Sequence, residues 1–350
     1  MRRSEEGEGM SCLDAFLPPV GGEALADMAR GYQRSLVLAQ AFELGIFDKL
    51  AAGPRRPEEL AAEFEVLPER LKLLLDALAA LGLLEKEGEA YGNSLLSQTF
   101  LCSQSCFCQK DLLRLQLAPE RRRQWERIGD WLKGDTIRRP GNPGEVFNPS
   151  FIHAMAQATL SHKGFATTVE LVAKHPCFAG AQKLLDLGGG HGLYAIALKR
   201  LKPELEVTVF DLPHVEEVTR EYARRYGTEV NFLPGNFYAD ELPGEQDIVL
   251  TFDVFYGPPA KTREVLAKVY RALKPGGYLF TKHWFLDDTR TRPERAALFA
   301  LLLALGNPAS HVCTCREMAE MLAGAGFVVE KEVSVGDSAS TTIIACKEGE

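Results

Sequence analysis

This 350-residue chain has no long basic run; Arg121-Arg122-Arg123 is the most extended. Asp and Glu outnumber Lys and Arg by 48 to 40, which gives a formal net charge of −8. Such a balance points away from nucleic acid and from anionic membrane as partners. Long apolar runs are also missing. Leu298 to Leu305 is far shorter than the ~18 residues of a membrane span and reads as a buried helix. Residues 1–10 are polar and acidic after two arginines, with no apolar signal core, so a cytoplasmic location is expected. Residues 1–21 read as a flexible N-terminus.

Paired cysteine patterns are absent as well. Eight cysteines include two clusters, Cys102/Cys106/Cys108 and Cys313/Cys315, but no C-x-x-C pair. No histidine follows them at zinc spacing, so no metal is expected. Free thiols, mostly buried, in a reducing compartment are the plain reading. The alternative is a thiol-lined pocket or soft-metal site built by the two clusters in space. With 46% hydrophobic and 25% charged residues, the chain is a soluble globular one, long enough for two domains.

What the chain does have is concentrated at Leu184-Leu185-Asp186-Leu187-Gly188-Gly189-Gly190-His191-Gly192. A buried strand over 183–187 runs into a glycine turn, and a helix follows from Leu193 to Leu201. Glycine there allows positive φ and lets backbone N–H groups approach a ligand. Asp211 follows Asp186 by 25 positions at the tip of a second strand, where a carboxylate can accept from both hydroxyls of a ribose. The spacing is not the G-x-G-x-x-G of a dinucleotide turn. The acid at Asp186 suits a cationic ligand and repels a pyrophosphate. S-adenosylmethionine is such a ligand, with a sulfonium, an ammonium and no phosphate.

The rest of the chain falls into three parts. Residues 22–100 show three helical patterns and a hairpin turning near Gly88, which describes a winged helix. Its would-be recognition helix, Glu69 to Ala80, is too apolar to read DNA, so a dimerisation or lid role is expected. Residues 101–175 form a helical bridge, with a loop over 138–144 and one long helix over 151–175. Phe151 and Met155 on that helix are candidate acceptor-facing residues, with core packing as the alternative. Residues 176–350 alternate strand and helix, with strands over 183–187, 206–210, 230–233, 247–252, 277–283 and 341–346. That is an α/β, doubly wound parallel sheet, whose ligands bind at the carboxyl ends of the strands. There the candidate cofactor residues gather: Asp186, Gly188, Gly190, Asp211, Leu212, Gly235, Asn236, Phe237 and Asp253. Asn236 can bond an adenine amine and Phe237 can stack on its ring. Tyr256, His283 and His311 are candidates for moving a proton, and Trp284 for lining the acceptor pocket. Wall or core roles are the alternative for each.

With these motifs in hand, residues 22–346 resemble the class I small-molecule O-methyltransferases of the plant caffeate/flavonoid and animal hydroxyindole type. The likeness rests on Asp186-Leu187-Gly188-Gly189-Gly190-His191-Gly192, Val209-Phe210-Asp211-Leu212-Pro213, Gly235-Asn236-Phe237-Tyr238, Lys274-Pro275-Gly276-Gly277 and Ala325-Gly326-Phe327. It implies a Rossmann-like S-adenosylmethionine-binding domain, an N-terminal winged-helix dimerisation domain, a homodimer and a small-molecule acceptor. Gly188, Asp211, Asn236 and Phe237 would hold the cofactor, although the family usually has Asp where Asn236 stands.

The chain departs from the family at its base. A histidine in a Leu-His-Asp-Trp phrase is replaced by Tyr256 in Phe255-Tyr256-Gly257-Pro258, and a supporting glutamate by His283. A second supporting glutamate is missing near Ala309 and Ser310. The bacteriochlorophyll C-20 methyltransferase branch is similar in having tyrosine at the Tyr256 position. Three readings follow. The first is carbon methylation of an electron-rich, tetrapyrrole-like ring, with the proton leaving late. The second is O- or S-methylation of an acceptor acidic enough to ionise unaided. The third is a binding or regulatory protein without turnover.

Overall fold

The computed structural model describes residues 18, 20–135, 146–335 and 340–349. The expected loop 138–144 and nearly all of the expected flexible N-terminus lie outside them. By internal packing the chain forms two units, Met1–Gln98 and Thr99–Glu350.

In the first unit a long helix, Glu23–Glu43, stops where Gly45 takes a left-handed conformation (φ 70°). Helices Pro57–Phe64 and Pro68–Ala80 each begin with proline, whose missing N–H costs nothing in a first turn. Strands β1 (Leu84–Glu87) and β2 (Ala90–Asn93) pair antiparallel around Gly88. Ile46, Phe47, Leu60, Leu75, Leu78 and Tyr91 are fully buried and form the core of this winged helix. The first helix differs. Leu25, Met28, Tyr32 and Leu36 recur every three to four positions, so they share one face, and all four are exposed.

The second unit is built on seven strands: β3 (Lys183–Leu187), β4 (Glu206–Asp211), β5 (Asn231–Pro234), β6 (Gln246–Phe252), β7 (Leu273–His283), β8 (Val328–Val335) and β9 (Ser340–Cys346). Their order is β5-β4-β3-β6-β7-β9-β8. The first five are parallel, but β9 runs antiparallel to both β7 and β8. The all-parallel expectation is thus corrected to a mixed sheet. β8 was missed because it is an edge strand whose residues, Glu330-Lys331-Glu332 among them, are mostly exposed. Alternate residues feed two cores. Leu185, Leu187, Val249, Leu279 and Ile343 pack on one face; Leu184, Val207, Val209, Ile248, Leu250 and Phe280 pack on the other.

A second correction concerns the helix expected over 151–175. It is two helices, Pro149–Leu160 and Gly164–Lys174. At the break the Ser161 hydroxyl bonds back to the Ala158 carbonyl (2.7 Å), and His162 Nδ1 accepts the Gly164 N–H (3.1 Å). These local bonds replace helical ones beside a poor helix former. Among the described residues, no helix is long and apolar enough to cross a membrane.

Candidate active site

Strand order reverses at β3, so the turns after β3, β4, β5 and β6 meet at one edge of the sheet. Gly188, Gly190 and Gly192 there all have positive φ (67°, 55° and 70°). At Gly188 a Cβ would lie 2.5 Å from Val254 Cγ1 and 3.4 Å from the Phe237 ring. At Gly190 it would meet nothing closer than 3.9 Å, where Asp211 Oδ2 and Ile152 stand. The first glycine is needed for packing and the second opens onto free space.

Asp211 fixes this turn. Its Oδ2 accepts the Gly190 N–H (2.8 Å) and its Oδ1 accepts the Leu212 N–H (2.7 Å). Burial still raises its pKa above the ordinary carboxylate value, against those two bonds. Asp186 lies beneath the turn, 2% exposed, and its Oδ2 has no partner. Burial, then the Asp211 charge, push its pKa up to about 7. Gly235 carries the chain past Phe210, where a Cβ would come within 2.4 Å of Cζ. The next loop is held by Lys268, whose ammonium donates to the Phe237, Tyr238 and Asp240 carbonyls. Asn236 Oδ1 accepts the Tyr238 N–H (3.0 Å), which turns the chain and leaves Phe237 half-buried.

Beyond β6 a polar network appears. Asp253 holds a left-handed backbone (φ 58°), an uncommon state for a non-glycine residue that clusters at functional sites. The Lys282 ammonium, from β7, donates to Asp253 Oδ2, and Tyr256 Oη donates to Asp253 Oδ1 at 2.8 Å. The Lys282 side chain is 7% exposed, against 40% for Asp253, so the carboxylate is the open end of the pair. Desolvation acts to raise the Asp253 pKa, but Lys282 outweighs it and holds the carboxyl below its ordinary range. Tyr256 also accepts the Trp284 N–H (3.2 Å). Its phenol is driven well above the ordinary value, by burial first and by Asp253 next. Tyr256 is therefore a neutral donor with a committed proton.

The two other candidates for proton transfer touch Tyr256 but make no side-chain hydrogen bond to this network. His283 is buried among Phe255, Tyr256 and Phe285, with Nε2 2.9 Å from Thr281 Oγ1. Burial lowers its pKa to about 3, so it is neutral and too weak a base at physiological pH. His311 gives its backbone N–H to the Tyr256 carbonyl, while its ring faces Glu317 at 3.2 Å. His311, Cys313 and Glu317 could share a cation by distance, but Arg290 already pairs with Glu317. The two cysteine clusters do not meet: Cys106 and Cys108 line one cavity, Cys315 another. Phe151 packs among Ile152, Leu212 and Val215, on the Asp211 side. Met155 is half-buried one turn further along that helix. Trp284 meets Phe299 edge-on at 4.9 Å, and Phe299 meets Tyr256 at 5.0 Å.

Lys282 escaped the sequence reading as a site residue. A lysine inside the apolar strand Tyr278-Leu279-Phe280-Thr281-Lys282 was the available signal, because a buried ammonium demands a partner.

An orphaned buried carboxylate oxygen, a ribose-type carboxylate and a Cβ-free opening beside an aromatic ring suit S-adenosylmethionine. The comparisons agree. The sequence profile of the O-methyltransferase domain matches residues 146–328, and that of the O-methyltransferase dimerisation domain matches residues 26–103. This chain belongs to the O-methyltransferase family. As a family member it is an S-adenosylmethionine-dependent methyltransferase with an N-terminal dimerisation domain. The chain is 33% identical over 301 residues to acetylserotonin O-methyltransferase of Mus musculus, covering 81% of this chain and 78% of that one. It is 27% identical to 3-hydroxy-5-methyl-1-naphthoate 3-O-methyltransferase of Streptomyces sahachiroi, covering 92% and 94%. Human N-acetylserotonin methyltransferase, solved in complex with S-adenosylmethionine, superposes with a TM-score of 0.80 at 26% identity, covering 95% and 100%.

Proposed function

We propose that this enzyme methylates a hydroxyl of a small aromatic acceptor that is acidic enough to ionise without a side-chain base. The observation that carries this reading is the Tyr256 to Asp253 hydrogen bond, which ties up the phenol proton. His283 is neutral and enclosed, so nothing on this network readily takes a proton. The relatives named for acetylserotonin and for a hydroxynaphthoate support an aromatic hydroxyl acceptor. Carbon methylation of an electron-rich ring is the second reading. It rests on the same committed phenol, because there the proton leaves after the methyl has arrived.

When bound, the cofactor supplies an electrophilic methyl group on a sulfonium. Asp211, already pinned by two N–H groups, keeps lone pairs for ribose hydroxyls. Leu212, Gly188, Gly190 and Gly235 shape the cradle, and Asn236 with Phe237 borders the adenine side. Asp186, its pKa pushed up to about 7 by burial and then by the Asp211 charge, presents its unpartnered carboxyl oxygen behind the turn. Tyr256, Trp284 and Phe299 orient the acceptor ring, so most of the rate comes from alignment, worth roughly 7–11 kcal/mol in well-oriented systems. The exposed apolar face of Glu23–Glu43 supports a homodimer through the dimerisation domain. Free thiols support a cytoplasmic location.

The test is a panel of phenols with pKa values from about 6 to about 10 at one fixed pH, with products identified by mass and NMR. Turnover should follow the ionised fraction and give methyl ethers. Methyl on ring carbon would transfer the case to the second reading, and rates independent of phenol pKa would sink the first.

A further inference from the structure

We propose that Arg295 is the recognition residue for an anionic oxygen group on the acceptor. The proposal rests on the methyl-transfer reading above and names the acceptor class for it. An aromatic row leads outward from the network: Tyr256, Phe299, Trp284, and then the Arg295 guanidinium, 5.0 Å over the Trp284 ring. Stacking holds a guanidinium flat, weakly hydrated and with its donor fork free.

Nearby cations are matched: Lys282 by Asp253, Arg290 by Glu317 and Arg316 by Asp288. Arg295 makes no ion pair with a described residue and stands over the Trp284 ring instead. Arg292 on the same segment is likewise without an ion pair among the described residues, so the aromatic seat is what distinguishes Arg295. The row thus ends in a guanidinium fork, which only donates. It fits a carboxylate or an ionised hydroxyl and has nothing for an ammonium.

The experiment compares three acceptors: a hydroxybenzoate, its methyl ester, and an acidic phenol lacking a carboxylate. Each is titrated by calorimetry into the protein loaded with S-adenosylhomocysteine, and each is assayed for methyl transfer. In Arg295→Gln the hydroxybenzoate should bind at least tenfold more weakly while the ester changes less than twofold. Arg295→Lys should recover part of the loss, because it keeps the charge and loses the fork. If the acidic phenol responds like the hydroxybenzoate, the anion is the ionised hydroxyl; if only the hydroxybenzoate responds, it is a ring carboxylate. Equal losses for acid and ester, or none for either anion, would overturn the proposal. Arg295 is exposed, so the variant should fold, and an unchanged S-adenosylhomocysteine affinity confirms it. Binding without turnover of any acceptor would count against the methyl-transfer reading alone.

Discussion

Tyr256 Oη lies 2.8 Å from Asp253 Oδ1 and at the same time accepts the Trp284 backbone N–H. The phenol therefore spans β6 and β7 as a strut, with its proton spent on a carboxylate. Tyr256→Phe should cost about 1–3 kcal/mol of stability, as expected when buried polar partners lose a bond. Methyl transfer should fall less than tenfold, and its pH profile should keep its shape. A loss of roughly 10²–10⁴-fold, the size of general acid–base catalysis, would make the hydroxyl a proton carrier instead.

Lys282 is the buried end of the pair and Asp253 the open end. Lys282→Met removes the cation and leaves a carboxylate that water reaches only in part. A fully buried pair broken this way costs about 3–5 kcal/mol; here partial exposure should reduce that to roughly 2 kcal/mol. Adding Asp253→Asn should restore most of the loss, since no lone charge then remains. Denaturant melts of the two single variants and the double variant measure it. Additive losses would show that the two side chains do not act as a pair.

The glycines divide by what stands in front of them. Gly235→Ala drives a methyl into the fully buried Phe210 ring, and overpacking of this kind costs about 1–3 kcal/mol. Gly190→Ala meets no atom closer than 3.9 Å, so only its left-handed backbone is strained, by about 1–2 kcal/mol. Its methyl enters the opening beside Asp211. Calorimetry with S-adenosylhomocysteine should therefore show a greater affinity loss for Gly190→Ala than for Gly235→Ala, while their melts differ little. The reverse order would place the nucleoside elsewhere.

Much of this was legible in the sequence because it is local. The strand–glycine–helix phrase at 183–201 fell where it was read, and so did the hairpin at Gly88 and the stop at Gly45. β8 was invisible because an exposed edge strand lacks an apolar signal. The helix break at His162 was hidden because it is set by two side-chain-to-backbone bonds rather than by proline. The site was half legible. Asp186, Asp211 and Phe237 gather at one strand edge, as motif spacing implied. The Lys282–Asp253 pair joins residues 29 positions apart, and no local pattern announces such a partner.

The helix Glu23–Glu43 buries Ala41 but exposes Leu25, Met28 and Tyr32 by 73%, 76% and 61%. A patch of that kind on a dimerisation domain suits the proposed homodimer interface. Met28→Glu with Tyr32→Glu should convert the dimer to monomers in analytical ultracentrifugation. Far-ultraviolet circular dichroism should change little, because the core of this unit lies on its other helices. A double variant that remains dimeric would place the interface on another surface.

Acid stability brings buried groups of opposite sign together. His191 and His283 have folded pKa values of about 3, lowered by burial, against an ordinary value near 6.5. Between those limits the unfolded chain binds more protons, so stability falls as pH drops below about 6.5. At pH 5 this amounts to about 2 kcal/mol per histidine. Asp186 works the other way. Its folded pKa of about 7 lies above the unfolded value near 3.9, so acidification through 7 relieves a buried charge, by roughly 2–3 kcal/mol at pH 5. The wild-type protein should then change stability only modestly between pH 7 and pH 5. Asp186→Asn removes the offset and should expose the histidine slope, a loss of about 4 kcal/mol over the same interval. His283→Asn should halve that slope in the Asp186→Asn background. Urea titrations at the two pH values read both effects, and a wild-type protein as acid-labile as Asp186→Asn would show that Asp186 is ionised beneath the turn.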